Sequence, residues 1–228
     1  MPSTYFTANT LRFLRDLKKN NNREWFAANK ARYEDVLRDP FLHLIADLAE
    51  PLAKISPHFR ADARAQGGSL FRIYRDVRFS ANKQPYKAWA GARFFHERAR
   101  QVEAPSFYLH IAPADSFVGG GKWHPEPPTV KRIRDFIVDN PASWKKAVHN
   151  KRFQERFIVG GDTLSRPPRG YDPGHELITD IKRKDFVAMH ELSDAQITSS
   201  ELKSIVIENF KALAPMIDYL CAALDLEF

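Results

Sequence analysis

The spacing of apolar residues switches once early in this chain, at Gly67-Gly68, and that switch limits its architecture more than any other feature. Before it the period is helical. Leu11, Leu14 and Leu17 share one face, and a second segment carries Trp25, Phe26, Tyr33 and Leu37. Asn22 can cap that second helix, because its short side chain accepts from the freed backbone N–H groups. Asp39-Pro40 opens a third helix, with Phe41, Leu44, Ile45, Leu48 and Leu52 as its apolar stripe. After the switch, SLFRIYRDVRF alternates. Phe71, Ile73, Val77 and Phe79 fall on one side, with Arg72, Tyr74, Asp76 and Arg78 on the other. Alternation of that kind predicts a half-buried strand. Arg75 is the exception, since its parity places it on the apolar side.

Two more strands are expected at WAGARFFH (89–96) and SFYLHIA (106–112), with DSFVGGGKW (115–123) returning as a hairpin partner that ends in a glycine turn. Helices are expected at Thr129–Val138 and Pro141–His149. SRPPRGYDPG (165–174) reads as a rigid loop, HELITDIKRK as a short helix and FVAMHEL (186–192) as a strand. The last helix begins near Ser200. Its stripe runs Leu202, Ile205, Val206, Phe210, Leu213, Ile217, Leu220 and Leu224, and Pro215 should kink or divide it. The expectation is an α+β fold in one domain, residues 1–228. N-terminal helices (8–56) and a C-terminal helical region (125–228) would pack around a central, mainly antiparallel sheet (69–122).

Composition removes several classes of protein. Hydrophobic residues make up 43% of the 228 positions, with 17 Phe and 4 Trp, which is enough for a sizeable core and too much for disorder. A lone cysteine, Cys221, excludes an intrachain disulfide and suits a reducing compartment. No apolar run approaches the roughly 18 residues of a membrane span, and MPSTYFTANTLRF lacks the pattern of a secretory signal. A cytoplasmic, soluble protein with no membrane partner is the expectation.

The net charge of +7 is concentrated in one stretch. Between Arg60 and Arg100 there are ten basic residues (60, 64, 72, 75, 78, 83, 87, 93, 98 and 100) against three acids, Asp62, Asp76 and Glu97. The rest of the chain is balanced, so the whole excess is local, which points to a site or patch for anions.

Short strings that suggest chemistry fail on a stated requirement. Ser80-Ala-Asn-Lys83 has the spacing of acyl-serine enzymes but lacks their companion Ser-Asp-Asn and Lys-Thr-Gly elements. Gly119-Gly120-Gly121-Lys122 departs from a phosphate loop, because Trp123 stands where Ser or Thr is needed; a tight hairpin turn explains the glycines. His175-Glu176 begins like a zinc-binding helix without its second histidine, and the other histidines have no ligand spacing, so no metal site is expected.

RIYRDVRFSANKQPYK (72–87) is different. On a strand, Arg72 and Arg78 share a face with Tyr74 and Asp76, and guanidinium groups suit phosphate and carboxylate. Lys83 and Lys87, either side of Pro85, can close over the same region, with Tyr86 and Trp89 as flat surfaces. Asp76 would orient an arginine, or serve as a general base if desolvation raised its pKa. An ordinary cross-strand ion pair is the alternative for the Arg–Asp pairs.

The same stretch resembles the signature of the domain of unknown function 2461 family. The match covers Arg72, Ile73, Arg75, Asp76, Arg78, Phe79, Ser80, Asn82, Lys83, Pro85, Tyr86 and Lys87. FLRDLKKNNNREWFAANKARYE, GGGKWHPEP and PPRGYDPGHELITDIKRKDF are similar in order along the chain. Gln84 and His124 depart from the pattern. The resemblance implies an α+β domain and brings no assigned activity. It draws attention to Arg169 and His175, which either form a turn and cap or complete a pocket beside the cationic strand.

The leading expectation is a pocket for a phosphorylated or otherwise anionic small molecule. Arg72, Arg75, Arg78, Lys83, Tyr86, Lys87 and Arg169 would bind it, with Asp76 or His175 as the acid–base group. Alternatives are a nucleic-acid-binding module, with bases stacked on Tyr74, Tyr86, Trp89, Phe94 and Phe95, and a scaffold for an acidic protein partner. Cofactor and oligomeric state are left unassigned.

Overall fold

Thr7 starts the first helix. In the computed structural model, which describes residues 4–228, its hydroxyl accepts from Asn9 N–H (3.2 Å), while Thr7 N–H reaches the Thr10 hydroxyl (3.1 Å). This reciprocal cap opens α1 (Ala8–Lys19). Asn22 caps α2 (Arg23–Ala28) as its sequence suggests, accepting from Trp25 N–H at 2.9 Å. The chain continues through α3 (Lys30–Tyr33) and a π-helical stretch (Glu34–Arg38) into α4 (Asp39–Ile55), which has Pro40 in its first turn. The expected stripe from Phe41 to Leu52 is buried.

Six strands then form one antiparallel sheet in the order β1-β2-β3-β4-β6-β5. They are β1 (Phe59–Arg60), β2 (Ala90–His96), β3 (Ser106–Ile111), β4 (Ser116–Lys122), β5 (Ile158–Gly160) and β6 (Phe186–Leu192). With helices on one side of it, the fold is α+β. The remaining helices are α5 (Pro127–Asp139), α6 (Pro141–Val148), α7 (Lys151–Arg156), α8 (Ile178–Ile181), α9 (Asp194–Ile197) and α10 (Leu202–Ala223). No helix among the described residues is long and apolar enough to cross a membrane.

Cross-strand partners share a face, so the register separates two surfaces. One holds Ala92, Leu109 and Val118, then Phe94, Phe107, Gly120 and Ala188, all buried. Against it lies α10, whose Phe210 meets Phe94 and Phe107 with ring centroids 5.1 and 4.8 Å apart. Gly120 makes this approach possible: a Cβ there would stand 3.1 Å from Ile217 Cδ1. The other face carries Arg93, Phe95, Ser106, Tyr108, His110, Phe117, Val187, Met189 and Glu191, each exposed or half-exposed.

Five expectations need correction. SLFRIYRDVRF (69–79) does not form a strand. Leu70 bridges Ala92 on the β2 edge; the chain then leaves the sheet and pairs with itself only at Tyr74 and Tyr86. The result is an arm, in which Ile73 is buried but Phe79 is 96% exposed. Alternation makes a strand only where a neighbouring strand accepts its hydrogen bonds, and past Phe71, whose N–H reaches Gly91 O (2.9 Å), the β2 edge is no longer followed. Second, Gly119–Gly121 lie inside β4, not in a turn. Third, the sheet does not end at residue 122: the expected strand at 186–192 (β6) joins it, and so does an unexpected one, β5. Last, α10 runs on through Pro215 as one element, and only four residues of HELITDIKRK become helix.

Candidate functional site

The foot of the arm is fixed by an amide that imitates a strand. Asn21 donates from Nδ2 to Tyr86 O and accepts from Tyr86 N–H, both at 3.0 Å. Phe26 of α2 stacks on the Tyr86 ring with centroids 4.2 Å apart. Arg75 N–H to Pro85 O and Lys87 N–H to Ile73 O, both 2.8 Å, tie the two limbs together. Tyr86, expected as a ligand surface, is therefore 95% buried and acts as the wedge that seats the arm.

Each cation of the arm has its own arrangement. Arg78 forks onto Asp76, Nε to Oδ1 at 3.0 Å and Nη2 to Oδ2 at 2.7 Å, with both side chains well exposed. That hydrogen bond holds the Asp76 carboxyl below its usual range. Asp76 is thus a weaker base than a free aspartate, the reverse of the shift a general base needs. Lys83 Nζ donates to Val77 O (3.1 Å). Lys87 Nζ donates to Arg72 O (2.6 Å) and lies over the rings of Phe71 and Trp89. Burial, then the nearby Arg72 charge, lowers the Lys87 pKa. Arg72 is exposed and Arg75 half-buried.

Across the whole basic stretch, three ion pairs consume the three acids: Arg60–Glu97, Arg64–Asp62 and Arg78–Asp76. Ten cations less three leaves Arg72, Arg75, Lys83, Lys87, Arg93, Arg98 and Arg100 with no carboxylate partner among the described residues. Arg93 stands on the open sheet face opposite Tyr108. Arg98 and Arg100 lie exposed beyond the end of β2.

On the same face as Arg93, and reached by Lys87 at Trp89, lies a run of rings. Trp89 tilts over His110 (4.8 Å), His110 stacks on Phe117 (4.8 Å, 10°), and Phe71 meets Tyr108 (5.8 Å). Tyr108 lies across Gly91, where a Cβ would come 2.3 Å from its hydroxyl. Tyr108 Oη and His110 Nδ1 are 3.0 Å apart. Burial raises the Tyr108 pKa and pushes that of His110 down to about 4, against the weaker pull of Asp115. At neutral pH the phenol therefore donates to a neutral imidazole, and the row is an uncharged aromatic surface bordered by positive charge. The alternation of SFYLHI signals these outward rings, but the ligand reading passed over Tyr108, His110 and Phe117. Of the aromatics it chose, Phe94 is buried on the α10 side, while Tyr74 and Phe95 retain exposure.

Arg169 and His175 do not join the arm. Their loop is anchored at the opposite edge of the sheet, through the Thr163–Arg183 bridge and a Tyr171–Asp135 hydrogen bond (2.8 Å). His175 Nδ1 accepts from Leu177 N–H at 3.0 Å, and Arg169 is exposed in a turn beside Gly170 at φ 88°. Of the two readings for this loop, the turn and cap fits the contacts. The cavity against the foot of the arm, bounded by Tyr33, Leu37, Phe71, Ile73 and Trp89, holds about 10 Å³, room for about one water. A groove of about 670 Å³ lies elsewhere, between α5, α6 and α10, and contains none of the expected ligand-binding residues.

The profile of the family described as conserved hypothetical protein (DUF2461) matches residues 9–219. The chain belongs to that family. Comparison with curated proteins and with solved structures finds no match. The four DUF2461-like stretches hold one another in place in two pairs. The first stretch supplies Asn21, which clamps the arm. The middle one, GGGKWHPEP, meets the last at Asp185, whose buried carboxylate accepts from His124 N–H (2.7 Å) and Asp162 N–H (2.9 Å). Much of the DUF2461 signature therefore serves as joints. The cations and rings around the arm are what it leaves facing water.

Proposed function

We propose that the chain binds single-stranded nucleic acid across the open sheet face and the adjoining arm. One observation carries this reading: an uncharged aromatic row, Trp89, His110, Phe117 and Tyr108, shares its face with Arg93 and meets Lys87 at Trp89, next to an arm that bears Arg72, Arg75 and Lys83, and none of these five cations has a carboxylate partner among the described residues. Bases stack on such rings whatever their sequence, while the cations hold the phosphates. The exposed ion pair of Arg78 with Asp76 is worth little in water, so Arg78 can exchange its partner for a phosphate. A small phosphorylated ligand fits less well, because neither of the two cavities described above is lined by the arm's cations. The reading assigns binding and names no reaction.

The test is fluorescence anisotropy with labelled single-stranded RNA and DNA over a range of salt. Affinity should fall linearly on a log–log plot, by a slope of about 0.7 per phosphate contacted. Arg93→Ala should reduce that slope by about one contact. A duplex of equal length should bind more weakly, since its bases are already stacked. Absence of binding at low salt would exclude the proposal. Pyrophosphate protecting the fold without any oligonucleotide binding would reinstate the small-ligand reading.

A further inference from the structure

We infer that Phe79 at the tip of the arm is a base-stacking finger, a second binding element outside the sheet face. This rests on the proposed single-strand reading and names the residue that extends its footprint. Phe79 is 96% exposed, the most exposed large apolar side chain among the described residues. The loop that presents it is fixed by contacts. Ser80 N–H reaches Val77 O (3.4 Å), and Lys83 Nζ gathers the carbonyls of Val77 and Arg78 (3.1 and 3.5 Å). Gln84 N–H is turned in by Asn82 Oδ1 (2.9 Å). A chain that spends these groups on ordering a tip, and leaves a phenyl ring in water there, has built an anchor that only a partner can cover.

The surroundings of the ring select the partner. The Arg78 guanidinium lies 5.8 Å from its centroid, while Lys83 and Arg72 share the same arm. A flat apolar group bordered by cations complements a base attached to phosphate. Both limbs return to the sheet edge next to Trp89 and Phe71, so a strand running off the aromatic row meets the arm. Ordering the tip in advance also lowers the entropy lost on binding.

Anisotropy with an oligonucleotide of ~16 bases, long enough to span face and arm, tests the finger. Phe79→Ala should weaken binding about 5- to 150-fold, the range for one lost stack. Its salt slope and thermal midpoint should stay unchanged, because the ring touches no core. Phe79→Trp should bind at least as tightly as the parent, and Phe79→Leu should bind as poorly as Phe79→Ala. Unchanged affinity in Phe79→Ala, with the parent binding, would remove the finger and leave the sheet face standing. Failure of the parent to bind would remove both. Phe79→Leu matching the parent, or loss of binding only to phosphatidylserine vesicles, would overturn stacking in favour of apolar insertion.

Discussion

His110 shows how one residue's surroundings decide what it offers a ligand. Enclosed by Trp89, Tyr108 and Phe117, it resists protonation until pH falls to about 4, against 6.5 for a free histidine. Between those values the unfolded chain takes up a proton that the folded chain refuses. Stability should be fully present above the higher value and decline as pH drops through the window. His110→Gln should flatten that decline, as read from denaturant midpoints at neutral and mildly acid pH. Asn21 is the corresponding residue for position. Asn21→Ala would strand Tyr86 N–H and O, costing about 1–3 kcal/mol, and amide exchange should rise at Arg75, Tyr86 and Lys87. The Asn22 cap is legible in the sequence because its partner is three residues away. The Asn21 clamp, whose partner lies 65 residues along, is not.

At the level of elements, local signals proved reliable where the element needs only itself. The stripes of α1, α4 and α10 were readable because a helix satisfies its own backbone, and β2, β3 and β6 because their outward residues truly alternate. The arm misled because its pattern says nothing about whether a partner strand exists beyond Phe71. The glycines of β4 misled in the opposite sense: they read as a turn, yet they are thin so that α10 and β6 can approach. Gly120→Ala should therefore destabilise by about 1–3 kcal/mol through overpacking against Ile217. A urea midpoint would record it, and no loss in a glycine-to-alanine change would contradict the close approach.

At the scale of the molecule, charge and joints divide the work. Asp185 joins the end of β4 to the start of β6 from inside, so Asp185→Ala should take the shared acceptor from the His124 and Asp162 N–H groups. A cost of about 1–3 kcal/mol follows, measurable by chemical denaturation. Loss of an exposed arm cation such as Arg72 should leave the same curve unmoved. The run of three glycines in β4 also bears on how the chain reaches this state. A strand with no side chains along its middle cannot recognise its own alignment, so β3 before it and β6, about seventy residues after it, must supply it. Closing so wide a loop is slow. The centre of the sheet should be among the last parts to set, and a nascent chain halted before residue 186 would have nothing on one side of β4 to hold it in line.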